Sequence, residues 1–216
     1  MGFYSLVSFF QKGGVFMYPI LIVFLSGIVI AGERWLQLTR VRNVNRKIWD
    51  RLHPMLVNGE FDKARSVIGQ DTSTIARMLG MGLARQSAVR RREDIEIAME
   101  ESMMEIIPQL EKRTPYIALL SNIATLLGLL GTIMGLIEAF TAVANANPAE
   151  KADLLSASIS VAMNTTAFGL MSAIPLLLLH AKLTATTGHI VDSLEMASVK
   201  ALNCFSSYGR RPLENQ

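Results

Sequence analysis

The chain has 216 residues, 50% of them hydrophobic and 18% charged, with a mean hydropathy of +0.33 and a net charge of +3. Soluble domains carry roughly 25% charged residues, so this composition indicates a membrane protein and argues against a soluble enzyme. The single cysteine, Cys204, excludes an intrachain disulfide framework. Three scattered histidines argue against a protein metal site, so no metal and no cofactor are expected.

The chain is predicted to begin with a short amphipathic segment and a first membrane span. Residues 3–12 are expected to form an interfacial segment on the outer face of the membrane. Residues 15–32 are apolar over nearly the ~20 residues that a bilayer core requires. This run ends in Glu33, Arg34 and Trp35, a stop-transfer pattern with an aromatic anchor, and it lacks a clear small-residue cleavage site. We therefore predict a retained helix rather than a cleaved signal peptide.

Residues 33–116 are predicted to form a cytoplasmic helical region, because they hold fifteen of the 21 Lys and Arg. A helix at 44–57 is expected to be interrupted at Pro54, and two shorter helices follow at 60–68 and 72–86. Residues 92–112 have an acidic start and a basic end, which complements the helix dipole. This helix is expected to continue into the second span as one long rod, bent at Pro108 and Pro115.

The run Arg90, Arg91 and Arg92 lies within this cytoplasmic region. Such a run is compatible with nucleic-acid binding, but a solvated face beside a membrane is strongly favoured. No nucleic-acid partner is expected.

Two further spans are predicted at 117–143 and 155–181, joined by a short loop at 144–154. The loop holds a single lysine, so the positive-inside rule places it and the amino terminus outside and the tail at 182–216 inside. The third span is expected to continue as an amphipathic helix in that tail. Helices that extend into the cytoplasm need neighbours to bury their apolar stripes, which favours an oligomer.

Small residues and one hydroxyl lie close together in the second span. Gly128, Gly131 and Gly135 share one face of the predicted helix, and Thr132 flanks that face. The simpler interpretation is ordinary packing between membrane helices through small residues. The alternative is that the hydroxyl beside such a close contact serves an ion, because polar groups at this depth have no bulk water.

The third span holds a polar triplet, Asn164, Thr165 and Thr166, just before Gly169. The two threonines are adjacent and therefore point about 100° apart, so they address two different neighbours. Pro175 lies deeper in the span and frees a main-chain carbonyl, which loosens the helix locally. Together with Thr132, these residues favour an ion pathway through the membrane.

Glu138 is the one carboxylate within the predicted spans, and it lies near the outer end of the second span. A role in the ion pathway and a solvated or lysine-paired role both remain open for it. Ser160 is interpreted as polar lining of the same pathway. Since no titratable group lies near the middle of the membrane, a central carboxylate must come from another polypeptide, and we expect an obligate partner.

Several stretches of the sequence resemble a known protein family. The stretch LLGLLGTIMGLIEAF, a short outer loop and then TTAFGLMSAIPLLLL are similar to the MotA/TolQ/ExbB family of ion-driven motor subunits, and most similar to its ExbB/TolQ branch. The stretches GGVFMYPILIVFLSGIVIAGERWLQL and IIPQLEKRTPYIALLSNIA match that family as well. The resemblance covers about residues 10–200.

The resemblance implies an all-α integral membrane fold, with three transmembrane helices and long cytoplasmic helical extensions that assemble as a homo-pentameric bundle. It also implies a dimeric single-span partner of the ExbD/TolR type, whose membrane Asp lies against threonines that correspond to Thr132 and Thr166. A TonB/TolA-like periplasm-spanning protein and membrane lipid are further implied partners. The expected location is the inner membrane of a Gram-negative bacterium, with a periplasmic amino terminus, a periplasmic loop at 144–154 and a cytoplasmic carboxy terminus.

The sequence departs from the family's pattern at one position. ExbB and TolQ usually carry a Glu one turn before the third-span threonine, whereas this chain has Val161. The coupling ion is expected to be H⁺. A pathway of neutral oxygens keeps Na⁺ open as an alternative. A non-conducting membrane scaffold, in which the threonines merely pack, is the second alternative. The sequence leaves open whether nutrient uptake, envelope maintenance, or motility or secretion is energised.

Overall fold

The computed structural model describes residues 13–88 and 91–209, and these residues form helices joined by short turns. The expected interfacial segment at 3–12 lies outside the described residues. Three of the helices are long and apolar enough to cross a membrane. The predicted all-α class with three such helices is therefore confirmed. The helices are α1 (Met17–Val57), α2 (Phe61–Gly69), α3 (Thr74–Ala88), α4 (Arg92–Glu111), α5 (Thr114–Ala144) and α6 (Lys151–Gly209).

The chain divides into two compact units. The first combines the chain up to Arg34 with Arg113–Lys182, and the second combines Trp35–Lys112 with the chain from Leu183 onward. The first unit holds the amino-terminal part of α1, all of α5 and the first part of α6.

One isoleucine and two alanines pack together at the centre of the first unit, where its three helices meet. Ile20 of α1, Ala124 of α5 and Ala173 of α6 form a fully buried cluster, against which a few larger side chains pack. Many large apolar side chains of these helices point outward instead, as expected of helices whose surroundings are lipid or other apolar chains. Three of the most exposed are Ile22 (65%), Leu126 (63%) and Leu178 (68%).

The second unit has an ordinary hydrophobic core. Leu52 and Leu79 are fully buried, as are Met99 and Ala201. The turn between α1 and α2 passes through Gly59 in the left-handed region, at φ 75°, where an L side chain would be strained. Such a core is what a water-exposed helical bundle requires, since it removes the apolar faces of its amphipathic helices from solvent.

Two predictions about proline are wrong. Pro54 does not interrupt a helix, because α1 runs unbroken through it to Val57. Pro54 and Asp50 are both exposed, so water can satisfy the Asp50 carbonyl that loses its helical donor.

The expected continuous rod is instead divided into α4 and α5. Pro115 would bring its ring against the carbonyl of Glu111 in an unbroken helix, and α4 ends at that residue. Arg113 then adopts a left-handed conformation, with φ 67°, and α5 begins with Pro115 in its first turn. Pro108 is tolerated within α4.

Candidate functional site

In the first unit, α5 and α6 pack so closely at their glycines that the main chains of the two helices are in contact. A Cβ atom built on Gly169 would lie 2.8 Å from the carbonyl oxygen of Ala124 and 3.0 Å from the Cα of Gly128. A Cβ on Gly135 would lie 2.9 Å from the Cβ of Ala162. No side chain fits between the two helices at these points, so the glycines set the distance between the backbones.

This close contact places the hydroxyls of Thr132 and Thr166 together. The two Oγ1 atoms form a hydrogen bond with each other across the helix pair. The Thr166 hydroxyl also lies 3.0 Å from the carbonyl oxygen of Gly128, and the Thr132 hydroxyl lies 3.2 Å from that oxygen and 3.3 Å from that of Ala162. Both threonines are half-buried, so they are reachable from one side of the contact. We call Thr132, Thr165 and Thr166 the hydroxyl cluster.

Thr165 has a different role from its neighbour. Its side chain is 2% exposed, and its hydroxyl lies 2.6 Å from the carbonyl oxygen of Gly13 and 3.1 Å from that of Val161. Its methyl group packs over Gly131. Thr165 therefore fastens α6 to the segment that precedes α1, as well as to α5.

The other residues that the sequence singled out lie apart from these contacts. Asn164 is half-buried, and its side chain forms no hydrogen bond within the described residues. Ser160 and Glu138 are both exposed, and Glu138 has no ion-pair partner among the described residues. Pro175 is half-buried, next to Leu176, whose side chain lies over Gly27 of α1.

Ser121 also belongs to the contact between α5 and α6, although it is not among the residues predicted from the sequence. Its buried hydroxyl donates to the carbonyl oxygen of Ala173 at 2.8 Å, which makes a second polar link between α5 and α6. The signal was present, because Ser121, Ala124, Gly128, Gly131 and Gly135 recur every three to four residues and so form one face. Extending the glycine face by two turns toward the amino terminus would have included it.

Three charged groups of the first unit, Glu33, Arg34 and Arg113, lie where the first span ends. Glu33 accepts a hydrogen bond from Arg113 at 2.5 Å. Arg34 beside them is 3% exposed, and its burial lowers the pKa of the guanidinium; Glu33 acts in the opposite direction, and Arg113 adds to the lowering. The hydroxyl cluster itself contains no carboxylate, amine or imidazole, so its chemistry is limited to accepting and donating hydrogen bonds.

No group of His, Cys, Asp and Glu within the described residues has a geometry that would hold a metal ion. The hydroxyl cluster instead presents oxygen atoms at a contact between two helices, where glycines stand in place of bulky side chains. Such an array can solvate a proton-carrying water, or a group that another chain brings against it.

Comparison with known proteins identifies relatives along most of the chain. The sequence pattern of the MotA/TolQ/ExbB proton channel family matches residues 70–196. An ExbB homolog of Methanothermobacter thermautotrophicus, named as a biopolymer transport protein, is 27% identical over 196 residues, which cover 90% of this chain and 68% of the relative. The ExbB-like protein 1 of Synechocystis sp. is 29% identical over 87% of this chain and 74% of its own length. The Tol-Pal system protein TolQ of Haemophilus influenzae is 33% identical over a shorter stretch, 40% of this chain and 38% of TolQ.

Proposed function

The chain belongs to the MotA/TolQ/ExbB proton channel family, and from that premise we propose that it couples ion flow to mechanical work at the cell envelope. Its relatives and its three membrane-spanning helices support a multi-pass inner-membrane protein that acts as a proton-channel motor subunit of biopolymer transport. The family is one of channel and transport subunits rather than of enzymes. Beyond this family-level function, we propose the ion pathway, the coupling ion and the partner proteins.

The observation that carries the pathway is the hydrogen-bonded pair Thr132 and Thr166 at the glycine contact. Both hydroxyls are half-buried rather than sealed, so a group on a neighbouring chain can approach them. Because the hydroxyl cluster has no titratable group, the proton carrier is the membrane Asp of a dimeric ExbD/TolR-like partner, enclosed by a homo-pentamer of this chain. A TonB/TolA-like protein then transmits the work across the periplasm.

The test replaces the hydroxyls without changing the volume of the side chain. In complexes purified from native membranes and reconstituted in liposomes, we expect Thr132→Val and Thr166→Val each to lower proton flux at least about tenfold. That loss corresponds to a barrier raised by about 1.4 kcal/mol. Thr125→Val is the matched control, because the Thr125 hydroxyl lies in the same span as Thr132 and, among the described residues, hydrogen-bonds only to the carbonyl of Ser121 one turn earlier. Wild-type flux in both variants would refute the pathway.

The coupling ion is tested in the same liposomes. We propose H⁺ as the ion, so replacing Na⁺ by choline at constant pH should leave the flux unchanged. A flux that follows the Na⁺ concentration would favour the sodium-driven version, in which the neutral oxygens coordinate the cation directly.

One observation favours a non-conducting scaffold as the second candidate. Every hydroxyl in the cluster already has a main-chain carbonyl within hydrogen-bond distance, as a purely structural threonine would. The scaffold predicts that both valine variants are silent, whereas Gly131→Leu, which collides with Thr165, prevents assembly. Measuring assembly by size-exclusion chromatography beside flux separates the two candidates.

A further inference from the structure

The outward face of α4, in the second unit, alternates acidic and apolar side chains. Five exposed residues lie within about 60° of one another around the helix, and we call them the acidic stripe: Glu93, Ile97, Glu100, Met104 and Glu111. Ile97 is 59% exposed and Met104 73%. Ile97 also borders a cleft of about 300 Å³ between α3 and α4, together with exposed Met81. Large apolar side chains that recur in one exposed row are typical of a surface that another protein covers.

α1 carries a row of the opposite charge. Its four exposed residues also lie within about 60° of one another, and we call them the basic stripe: Arg40, Val44, Lys47 and Arg51. They are separated by four, three and four residues, which is the spacing of the first four members of the acidic stripe. No ion pair within the described part of the chain involves a member of either stripe. Both rows of charge are therefore available to a partner.

Two other helices, α3 and α6, lie between the helices that carry the stripes. Each of them contacts both α1 and α4, through three hydrogen bonds and one ion pair: Asn45–Thr74, Arg77–Glu105, Val57–Tyr208 and Met99–Ser198. The exposed faces of α1 and α4 consequently point to different sides of the second unit. One chain thus presents acidic charge on one side and basic charge on another.

The same contacts give the relative heights of the two stripes. A second contact in each pair of helices makes α6 antiparallel to α4 and parallel to α1: the Arg92–Asn203 bond, and the cavity wall that Trp49 shares with Ser193. α1 and α4 are therefore antiparallel. Counting along α3 from its contact with α1 to its contact with α4 places Arg51 within one helical turn of the height of Glu100, and Arg40 within one turn of Glu111.

A lipid surface does not fit the two stripes. Counted from Trp35, the aromatic anchor at the predicted end of the first span, Lys47 and Arg51 lie about 18 and 24 Å along α1. The headgroup layer on each side of the hydrocarbon core is only about 5–8 Å thick. Anionic lipid would also repel the acidic stripe. The partner must instead be a protein that presents both charges at matching heights, and a second copy of this chain does so.

We infer that the acidic stripe of one copy packs against the basic stripe of the next. Like stripes repel, so the contact is head-to-tail, and head-to-tail contacts generate closed rings when the rotation between copies closes. In this contact Glu100 lies beside Arg51, and Glu111 beside Arg40. Met104 lies between these two ion pairs, where the aliphatic carbons of Lys47 cover it. The inference rests on the homo-oligomer of the proposed function and not on ion conduction.

The test links two copies at the heights that the stripes predict. Two chains with different affinity tags are co-expressed in a Cys204→Ser background, which removes the one native thiol. One chain carries Arg51→Cys and the other Glu100→Cys, so a link between these two thiols joins different copies. Native membranes are treated with a short bismaleimide, and heterodimers that carry both tags are quantified. The matched control uses Arg46→Cys, an exposed position about 140° around α1 from Arg51.

We expect at least about fivefold more heterodimer with Arg51→Cys than with Arg46→Cys, because Arg46 lies on another side of α1. Size-exclusion chromatography at low salt tests the charges separately. Arg51→Glu and Glu100→Arg should each lower the oligomeric fraction, by up to about fivefold for an exposed pair, and combining them in one chain should restore it. Equal heterodimer yields in an intact oligomer overturn the interface and leave the homo-oligomer standing. A monomeric wild-type chain overturns both.

Discussion

Arg113 combines a strained backbone conformation with an ion pair to Glu33. It is the one non-glycine residue with a positive φ among the described residues, and the left-handed region costs an L residue about 1–2 kcal/mol. Its side chain donates to Glu33 at 2.5 Å, and the side chains of both residues are partly exposed. An exposed pair contributes only up to about 1 kcal/mol, so the ion pair offsets part of the backbone cost rather than all of it.

Substitutions at Arg113 should therefore separate these two contributions. Arg113→Ala keeps the strained backbone and removes the ion pair, so we expect it to lower the stability of the helical fold by up to about 1 kcal/mol. Arg113→Gly removes both and should be about 1 kcal/mol more stable than the alanine variant. Thermal unfolding in detergent, followed by circular dichroism, measures the order. Glycine less stable than alanine would contradict the assignment of strain to this residue.

At the scale of the helices, the contact between α5 and α6 depends on the absence of side chains. The Cβ that Gly169→Ala introduces would meet main-chain atoms of Ala124 and Gly128, which cannot rotate away as a side chain would. The two helices must then separate, and the hydroxyl pair across them must lengthen.

We expect Gly169→Ala to destabilise the folded chain by about 1–3 kcal/mol, the usual effect of overpacking. Gly32→Ala is its control, because nothing lies within 4 Å of the added Cβ, and alanine favours a helix more than glycine does. Thermal melting of the two variants in the same detergent provides the comparison. Equal melting temperatures would mean that the backbones are not in contact at Gly169.

The elements could be predicted from the sequence wherever the pattern is local. The apolar runs and the glycine face of α5 follow from composition and from helical spacing alone. The break before α5 could not be predicted in this way, because it depends on which prolines the backbone tolerates within a helix. Pro54 and Pro108 remain within helices, whereas Pro115 starts one. The pairing of Thr132 with Thr166 also could not be predicted, since it depends on how α5 and α6 are rotated about their axes.

At the scale of the whole molecule, the outward-facing apolar side chains set the conditions for assembly. Isolated side chains of this kind are common on proteins, but here they cover the apolar windows of all three long helices, of which only 22–33% is buried. The chain therefore needs lipid, copies of itself or other membrane helices around it.

We expect native mass spectrometry of the complex, purified in mild detergent from native membranes, to find a homo-pentamer that retains two copies of a single-span protein with a membrane Asp. A homo-oligomer of another size would contradict the stoichiometry alone. A homo-oligomer that never retains such a partner would lack the central carboxylate, and the scaffold would then be the better account.

Apart from the bond between the Thr132 and Thr166 hydroxyls, the acceptors around the hydroxyl cluster are main-chain carbonyls, those of Gly13, Gly128 and Ala162 among them. Point mutation can replace the donors but cannot delete a peptide oxygen, so a conventional mutational scan would observe only half of this network. Replacing the Gly13–Gly14 amide with an ester by chemical synthesis would weaken the acceptor while leaving every side chain in place. For the same reason, natural variation can retune the hydroxyls here but must leave the carbonyls that face them unchanged.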